Sequence, residues 1–574
     1  MTVAAHHHEI GAGVRGVRQE RIGDVDLAAG NAVHLDFEAV AGEMLTHIGA
    51  FDLVLLAAFI GGHDDLDPAG FDQKRHGVGK GARGLPAAVP AHHDAVELER
   101  AFLNVGHDDQ WPAGLEQRGL GDQLLDRAAV GLGLADDGKI EAEMFFVAYA
   151  LDGQEAGRRP LTFAFNGGPG SASVWLHMGA LGPKRVVMLP NGFMPPPPYH
   201  LEDNPYTLLD KSDLVFVDAI GTGFSRAADA ELSKKFWGVK GDIEGFSEFI
   251  RLYLSRYERW SSPLFLFGES YGTTRAAGVS GYLSDHGIAF NGVTLLSSVL
   301  NFQTLQDTKT NDLPYVLLIP SFTMIANYHH KLASELSADI GKARQESEQW
   351  ASAEYAWGLA KGDALTPDER QKMIDQMARY TGLSKQLIDD ANLRVDVGKF
   401  THNLLLDQKL RVGRLDGRFT GTDPDGLLDT ADYDPSESAI VPPYTSVFNN
   451  YVRTELNYQS DMPYQVFAQA AGFEEHWDWG SAANGFPDTA TALREAMVKN
   501  PYLKVFVMEG HYDLATPYFA ANYAMDHLDL GGKYRQNISF ATYESGHMVY
   551  LDTESLMKMK NDEANFIQKA GAGQ

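Results

Sequence analysis

The chain has no cysteine in 574 residues. Disulfides, zinc–thiolate sites and thiol nucleophiles are thereby excluded. No apolar run reaches the length of a membrane helix. Positive charge is scarce: 48 Lys and Arg face 77 Asp and Glu, a formal net charge of −29. That balance argues against nucleic acid, whose phosphates demand basic patches, and against docking on anionic membranes. The first 135 residues lack more. No serine precedes Ser171 and no tyrosine precedes Tyr149, yet ten of the 20 histidines lie before residue 110. Ordinary usage would place about eight to ten serines in such a stretch. Short runs such as Phe51 to Ile60 are apolar, but Gly, Asp and His clusters interrupt any amphipathic period. His6-His7-His8 reads as part of this bias rather than as a metal site. Residues 1–135 are therefore expected to be an atypical, disordered or poorly packed extension, the product of an out-of-frame or mis-started reading.

What is present centres on Phe267-Gly268-Glu269-Ser270-Tyr271-Gly272. Pro263 to Phe267 reads as a short buried strand, and Thr273 to Asp285 as a helix stopped by Gly287. G-x-S-x-G between them predicts a nucleophile elbow, with the serine hydroxyl thrust above the sheet edge. The helix behind it offers amide groups and a positive dipole end to a developing oxyanion.

A serine nucleophile needs a base, and the base an orienting acid. Leu503 to Met508 is strand-like and leads to Glu509-Gly510-His511-Tyr512-Asp513; Asn537 to Tyr543 leads to Glu544-Ser545-Gly546-His547. Asp513 and His547 each follow a strand, in the order Ser, Asp, His, and 34 residues apart. Ser270, Asp513 and His547 are the expected catalytic residues.

Four blocks together resemble the serine carboxypeptidases, peptidase family S10, in the variety found in bacteria. They are Asn166-Gly167-Gly168-Pro169-Gly170-Ser171-Ala172-Ser173, Asp218-Ala219-Ile220-Gly221-Thr222-Gly223-Phe224-Ser225, Gly268 to Gly272, and Asp513 with Gly546-His547. The resemblance covers about residue 136 to the C-terminus. It implies that the amides of Gly168 and Tyr271 form the oxyanion hole, and that Asn166, Gly167 and Glu269 grip a substrate's C-terminal carboxylate. The chain departs from many relatives in two places. Ala180 stands where they carry a glutamate that shares a proton with the elbow glutamate, and Ala164 replaces a tryptophan. Relatives are usually exported, which implies a periplasmic or secreted protein. Met1 to Glu20, however, has no continuous apolar segment of the kind a signal peptide needs.

Domain organisation follows. Residues 136–300 and 501–574 are expected to build an α/β-hydrolase core, with Ile140 to Ala150 and Leu161 to Phe165 paired around a turn at Asp152-Gly153. The 243 residues between Ser270 and Asp513 exceed what a few βα units need. Residues 301–500 are expected to be a largely helical cap, with Tyr444, Phe448, Tyr451, Phe467, Trp477 and Trp479 in its core rather than lining a pocket. The function expected is a serine carboxypeptidase acting on peptides with a free C-terminus through an acyl-enzyme on Ser270, needing no metal or cofactor. Fold and triad alone also suit a serine esterase or acyltransferase, or a silent binding protein on the same scaffold.

Overall fold

The computed structural model describes residues 128–136, 139–423, 433–468, 473–480 and 485–571, the side chains of 128–136 and Glu474 excepted. The histidine run, the apolar run at 51–60, Met1 to Glu20 and the rest of 1–127 lie outside the described residues.

Among the described residues, nine strands form one sheet. They are β1 (Ala128–Asp136), β2 (Lys139–Tyr149), β3 (Leu161–Phe165), β4 (Asp213–Val217), β5 (Arg226–Ala227), β6 (Leu264–Glu269), β7 (Gly292–Leu296), β8 (Lys504–Gly510) and β9 (Ile538–Tyr543). Their order is β1-β2-β4-β3-β6-β7-β8-β9, with the short β5 on β2. From β4 onward all neighbours are parallel; β2 runs antiparallel to β1, β4 and β5. A parallel sheet needs both faces covered, and its strands read as unbroken apolar runs. LTFAF, DLVFV and LFLFGE are buried at every residue. Alternation then sorts them: Ala164, Phe216, Phe265, Phe267 and Met508 enter one apolar cluster, and Phe163, Phe165, Val215, Leu266 and Val507 the other.

The expected hairpin of β2 and β3 is not formed. β4 lies between them, antiparallel to β2 and parallel to β3. The physical reason is the burial of all five β3 residues. A strand covered on both faces belongs in the sheet interior, with a ladder on each edge, and β3 pairs with β4 and β6. The sheet also begins at Ala128, eight residues ahead of the expected start of the core.

Helix α1 (Val239–Arg256) and the elbow helix α2 (Tyr271–Asp285) cover one face. Between β7 and the last strands the chain inserts helices, among them α3 (Leu313–Tyr328), α4 (Pro367–Thr381) and α5 (Val441–Thr454). α4 starts with a reciprocal capping box, Thr366 with Glu369, and stops at Gly382, whose φ of 70° suits glycine. The insertion builds its own core, in which Phe322 stacks on Phe400 at 3.9 Å, and that core takes in Tyr512 and Leu514 on either side of Asp513. α6 (Ala490–Lys499) belongs to the sheet instead. Its Leu493, Ala496 and Met497 share a cluster with Ala276, Val279 and Leu283 of α2, so it is the crossover helix leading into β8. α7 (Thr553–Gly571) closes the chain. No described helix is long and apolar enough to cross a membrane.

Candidate active site

β6 delivers Glu269 to the sheet edge, and Ser270 takes φ 60° and ψ −132° before α2 begins. A non-glycine residue holds such a conformation only when its surroundings impose it. The glycines on either side explain how. A Cβ on Gly268 would lie 2.2 Å from the oxygen of Gly272, and one on Gly272 would lie 2.6 Å from the oxygen of Phe165. The Ser270 amide donates to Leu296 O at 3.0 Å, tying the elbow to β7. The first amides of α2, Tyr271 and Gly272, have no carbonyl one turn back to bind. Gly167 packs directly on them, since a Cβ there would meet both nitrogens at 2.4 Å. Gly168 follows with φ 102°. Two glycine-bearing loops thus meet at the start of α2, whose first amides have no carbonyl partner among the described residues.

The loops after β8 and β9 bring Asp513 and His547 together. Asp513 is fully buried, and its Oδ1 accepts from the amides of Ala515 (2.7 Å) and Thr516 (3.0 Å). Its Oδ2 accepts from Thr516 Oγ1 at 2.7 Å and from His547 Nδ1 at 2.8 Å. That leaves His547 Nε2 as the nitrogen available to a substrate or nucleophile. Burial alone would lower the His547 pKa; the negative charges of Asp513 and Glu269 outweigh it and hold the imidazole above its ordinary value. Ser270 Oγ makes no hydrogen bond to a described residue, so the serine–histidine link is open while the histidine–aspartate link is closed. Such contacts often tighten only around a substrate.

Glu269 is buried, and that burial pushes its pKa up to about 7. His547, the Tyr550 hydroxyl and the Asn166 side chain favour its ionised form, and Asp513 opposes it. Neither Tyr550 nor Asn166 closes a hydrogen bond on Oε2, which has no partner among the described residues. Asn166 itself is fixed: its Oδ1 accepts from Leu176 N at 3.0 Å.

Several supporting residues carry no signal in the sequence reading. Arg275, fully buried on α2, holds Asp242 of α1 through Nε (2.7 Å) and Nη2 (3.1 Å) and donates from Nη1 to Asn166 O at 2.5 Å. Glu509, at the end of β8, is buried with Oε1 accepting from Ser298 N at 3.1 Å; burial and Asp513 push its pKa well up. A strap of the insertion, Arg414 to Arg418, runs between the acid and histidine loops. The Asp218 block proves to be a knot under the site: Asp218 Oδ1 accepts from Ser173 N at 2.8 Å, and Ser225 Oγ donates to Asp218 O at 2.8 Å. Tyr444, Phe448 and Tyr451 pack into the core cluster of the sheet rather than into a separate cap core. Trp477 packs edge-on against Tyr271 at 5.4 Å, and Trp479 against Phe302 at 5.0 Å, beside the elbow.

The family model of the serine carboxypeptidases matches residues 133–564. This chain belongs to that family. Its fold, a mostly parallel sheet wrapped by helices, is that of the α/β-hydrolases. Among solved structures, this serine carboxypeptidase-family protein is similar to the prohormone-processing carboxypeptidase Kex1 of Saccharomyces cerevisiae. The two are 15% identical with a TM-score of 0.49, over 78% of this chain and 91% of that one. A proline iminopeptidase of Mycobacterium smegmatis is 13% identical with a TM-score of 0.32, over 77% of this chain and 99% of the other. A carboxylesterase of Nitrososphaera gargenis is 9% identical with a TM-score of 0.34, over 76% and 99%. No curated protein matches the chain.

Proposed function

We propose that this family member is a serine-type carboxypeptidase that releases single residues from the C-termini of peptides. The observation that carries the reading is the juxtaposition of a hydrogen-bonded Asp513–His547 pair with a buried elbow carboxyl, Glu269, whose charge acts on His547. The pair is what a serine nucleophile needs; a buried carboxyl that holds its proton suits a site that receives a substrate carboxylate.

In this reading Ser270 attacks the carbonyl of the last peptide bond, and His547 Nε2 takes its proton. Asp513 holds the imidazole in the tautomer that allows this and stabilises the imidazolium. The tetrahedral oxyanion sits between the amides of Gly168 and Tyr271. His547 returns the proton to the leaving amino acid, and water resolves the acyl-enzyme by the same steps in reverse. Asn166, the Gly167 amide and neutral Glu269 hold the departing residue's carboxylate. A carboxylate repels ionised Glu269 and accepts a hydrogen bond from its acid form. The helical insertion acts as a cap that excludes water over the site.

Mass-spectrometric digestion of blocked peptides with free and amidated C-termini tests the reading, with wild type and Ser270→Ala side by side. Stepwise shortening of the free-ended peptide alone, absent from the variant, is the expected result. Turnover of small esters with neither peptide shortened would move the assignment to an esterase or acyltransferase. Absence of fluorophosphonate labelling at Ser270 would leave only a binding protein.

A further inference from the structure

Two buried polar atoms beside Glu269 have nothing to bind. Its own Oε2 and the Tyr550 hydroxyl are both without a hydrogen-bond partner among the described residues. Tyr550 is 1% exposed and Glu269 3%. Leaving either atom unpaired is costly, and leaving both at one spot marks a place built for a ligand. They are at one spot: Tyr550 packs on Gly179, three residues beyond Leu176, whose amide holds Asn166 Oδ1, and the Tyr550 hydroxyl and the Asn166 side chain both act on the Glu269 carboxyl.

The position of Tyr550 is fixed by the chain. It sits on the single turn Val549–Leu551, three residues beyond His547, so one loop carries both. Its ring rests on Gly179, where a Cβ would lie 2.6 Å from Cε2 and 2.4 Å from the Tyr444 hydroxyl. Any larger residue at 179 would displace the ring. Ala180, in the same apolar cluster, brings no polar group of its own. The phenol is thus held by apolar packing with its hydroxyl as the only free function.

We propose that Tyr550 is a substrate-binding residue, donating its hydroxyl to the terminal carboxylate alongside Asn166 and Glu269. The inference rests on the carboxypeptidase reading above. A carboxylate presents about four lone-pair sites and no donor, which matches a phenol hydroxyl, an amide NH2 and a protonated carboxyl converging on it. A terminal amide has one acceptor oxygen and brings two donors, so part of that set is left unpaired. Burial raises the Tyr550 phenol further above its already high value, so it donates at every pH at which the protein is handled, long after Glu269 has ionised.

Calorimetric titration of the full-length Ser270→Ala protein tests this, with a blocked dipeptide as the free acid and as its amide. The acid is expected to bind more tightly than the amide. Adding Tyr550→Phe is expected to weaken the acid by about tenfold or more, the scale of a hydrogen bond to a charged group, and the amide by less than about twofold. Equal weakening of both ligands would assign Tyr550 to packing and overturn the inference, as would an acid affinity that does not change. If Ser270→Ala itself binds acid and amide alike, the carboxypeptidase reading falls and the inference with it. Tyr550→Met, which keeps apolar bulk without a donor, carries the same comparison should the phenylalanine variant not fold.

Discussion

The hydroxyl of Ser297 donates to the main-chain oxygen of His547 at 2.6 Å. Ser297 directly follows Leu296, whose oxygen takes the Ser270 amide at 3.0 Å, and its own amide donates to Met508 O at 2.8 Å. Two consecutive residues at the end of β7 therefore hold the elbow serine, the histidine loop and β8. Ser297 sits at φ 53°, a conformation uncommon outside glycine, so the site holds it under constraint. Ser297→Ala leaves a buried carbonyl unpaired and is expected to cost about 1–3 kcal/mol of stability. It should also lower kcat/KM on esters by about tenfold through loss of histidine placement. Thermal melts and ester kinetics check both. A lowered Tm with wild-type kinetics would show that the tie serves folding alone.

Arg275 offers a second test. Its guanidinium lies 4.3 Å over the Phe246 ring, with Nε and Nη2 donating to Asp242 and Nη1 to Asn166 O. Removing one partner of a buried ion pair costs about 3–5 kcal/mol because it strands the other. Arg275→Met is expected to be badly destabilised for that reason. Arg275→Lys is more informative: it keeps the charge but cannot reach Asp242 and Asn166 O together, since it lacks the planar fork. The expected result is a folded protein with kcat lowered about tenfold, because the Asn166–Gly167 strand end is no longer pinned to α2. Kinetics indistinguishable from wild type would remove Arg275 from the positioning of that loop.

The apolar core strands and the helix after the elbow were legible because their signals are local. LTFAF, DLVFV and PLFLF are short apolar runs, and GESYG lies between a strand and a helix. The β2–β3 pairing was misread for the opposite reason. Which strand inserts between two others is decided by packing between residues some 50 apart, and no run of sequence encodes it. The site shows the same division. Ser270, Asp513 and His547 stand out because each follows a strand in the order that the proposed chemistry requires. Arg275 and Asp416 do not, because an arginine on a helix and an aspartate in a loop are ordinary until the fold buries them. Tyr550 is hidden twice over, as one more aromatic after a histidine whose meaning depends on Gly179, about 370 residues away.

Glu269 couples stability, binding and catalysis to pH. Its pKa in the folded protein, about 7, lies above the ordinary carboxyl value of 4.5. The folded state therefore binds the proton more tightly than the unfolded chain. The stability this proton confers is complete below about pH 4.5 and is lost as pH rises to about 7, a change on the order of 3 kcal/mol. Asp218, raised to about 6 by burial, acts in the same direction. Glu269→Gln removes the Glu269 share alone, so its Tm relative to wild type should climb between pH 4.5 and 7 and level off above. The same substitution deletes a negative charge that raises the His547 pKa. The acid limb of ester hydrolysis should then move to lower pH, and binding of free-carboxylate peptides should no longer weaken as pH rises through about 7. An acid limb that stays in place would show that the Glu269 charge does not reach the imidazole.

The strap from Arg414 to Arg418 makes the sharpest case for the insertion as part of the catalytic apparatus. Leu415 O accepts from His547 N at 2.7 Å, Arg414 O from Leu514 N at 3.1 Å, and Gly417 N donates to Tyr512 O at 2.9 Å. Asp416 Oδ2 takes the Gly546 amide at 3.0 Å, and Arg418 Nη1 donates to Glu544 O at 2.8 Å while its Nη2 holds Asp416 at 2.7 Å. The acid loop and the histidine loop are thus each bonded to one strap, which sets the distance between them from outside the sheet. Asp416→Asn keeps the size of the side chain but removes the charge that organises Arg418 and reduces what Gly546 can donate to. Hydrogen bonds to charged groups contribute about 1.5–3 kcal/mol each. On that scale the variant should lose about tenfold or more in kcat for esters, with KM little changed, since the strap positions the base and does not touch substrate. Its fluorophosphonate labelling rate should fall in parallel, because labelling needs the same activated Ser270. A variant that labels at the wild-type rate while losing peptide turnover would place the defect in substrate binding, and the strap would then be a wall of the pocket rather than a brace for the triad.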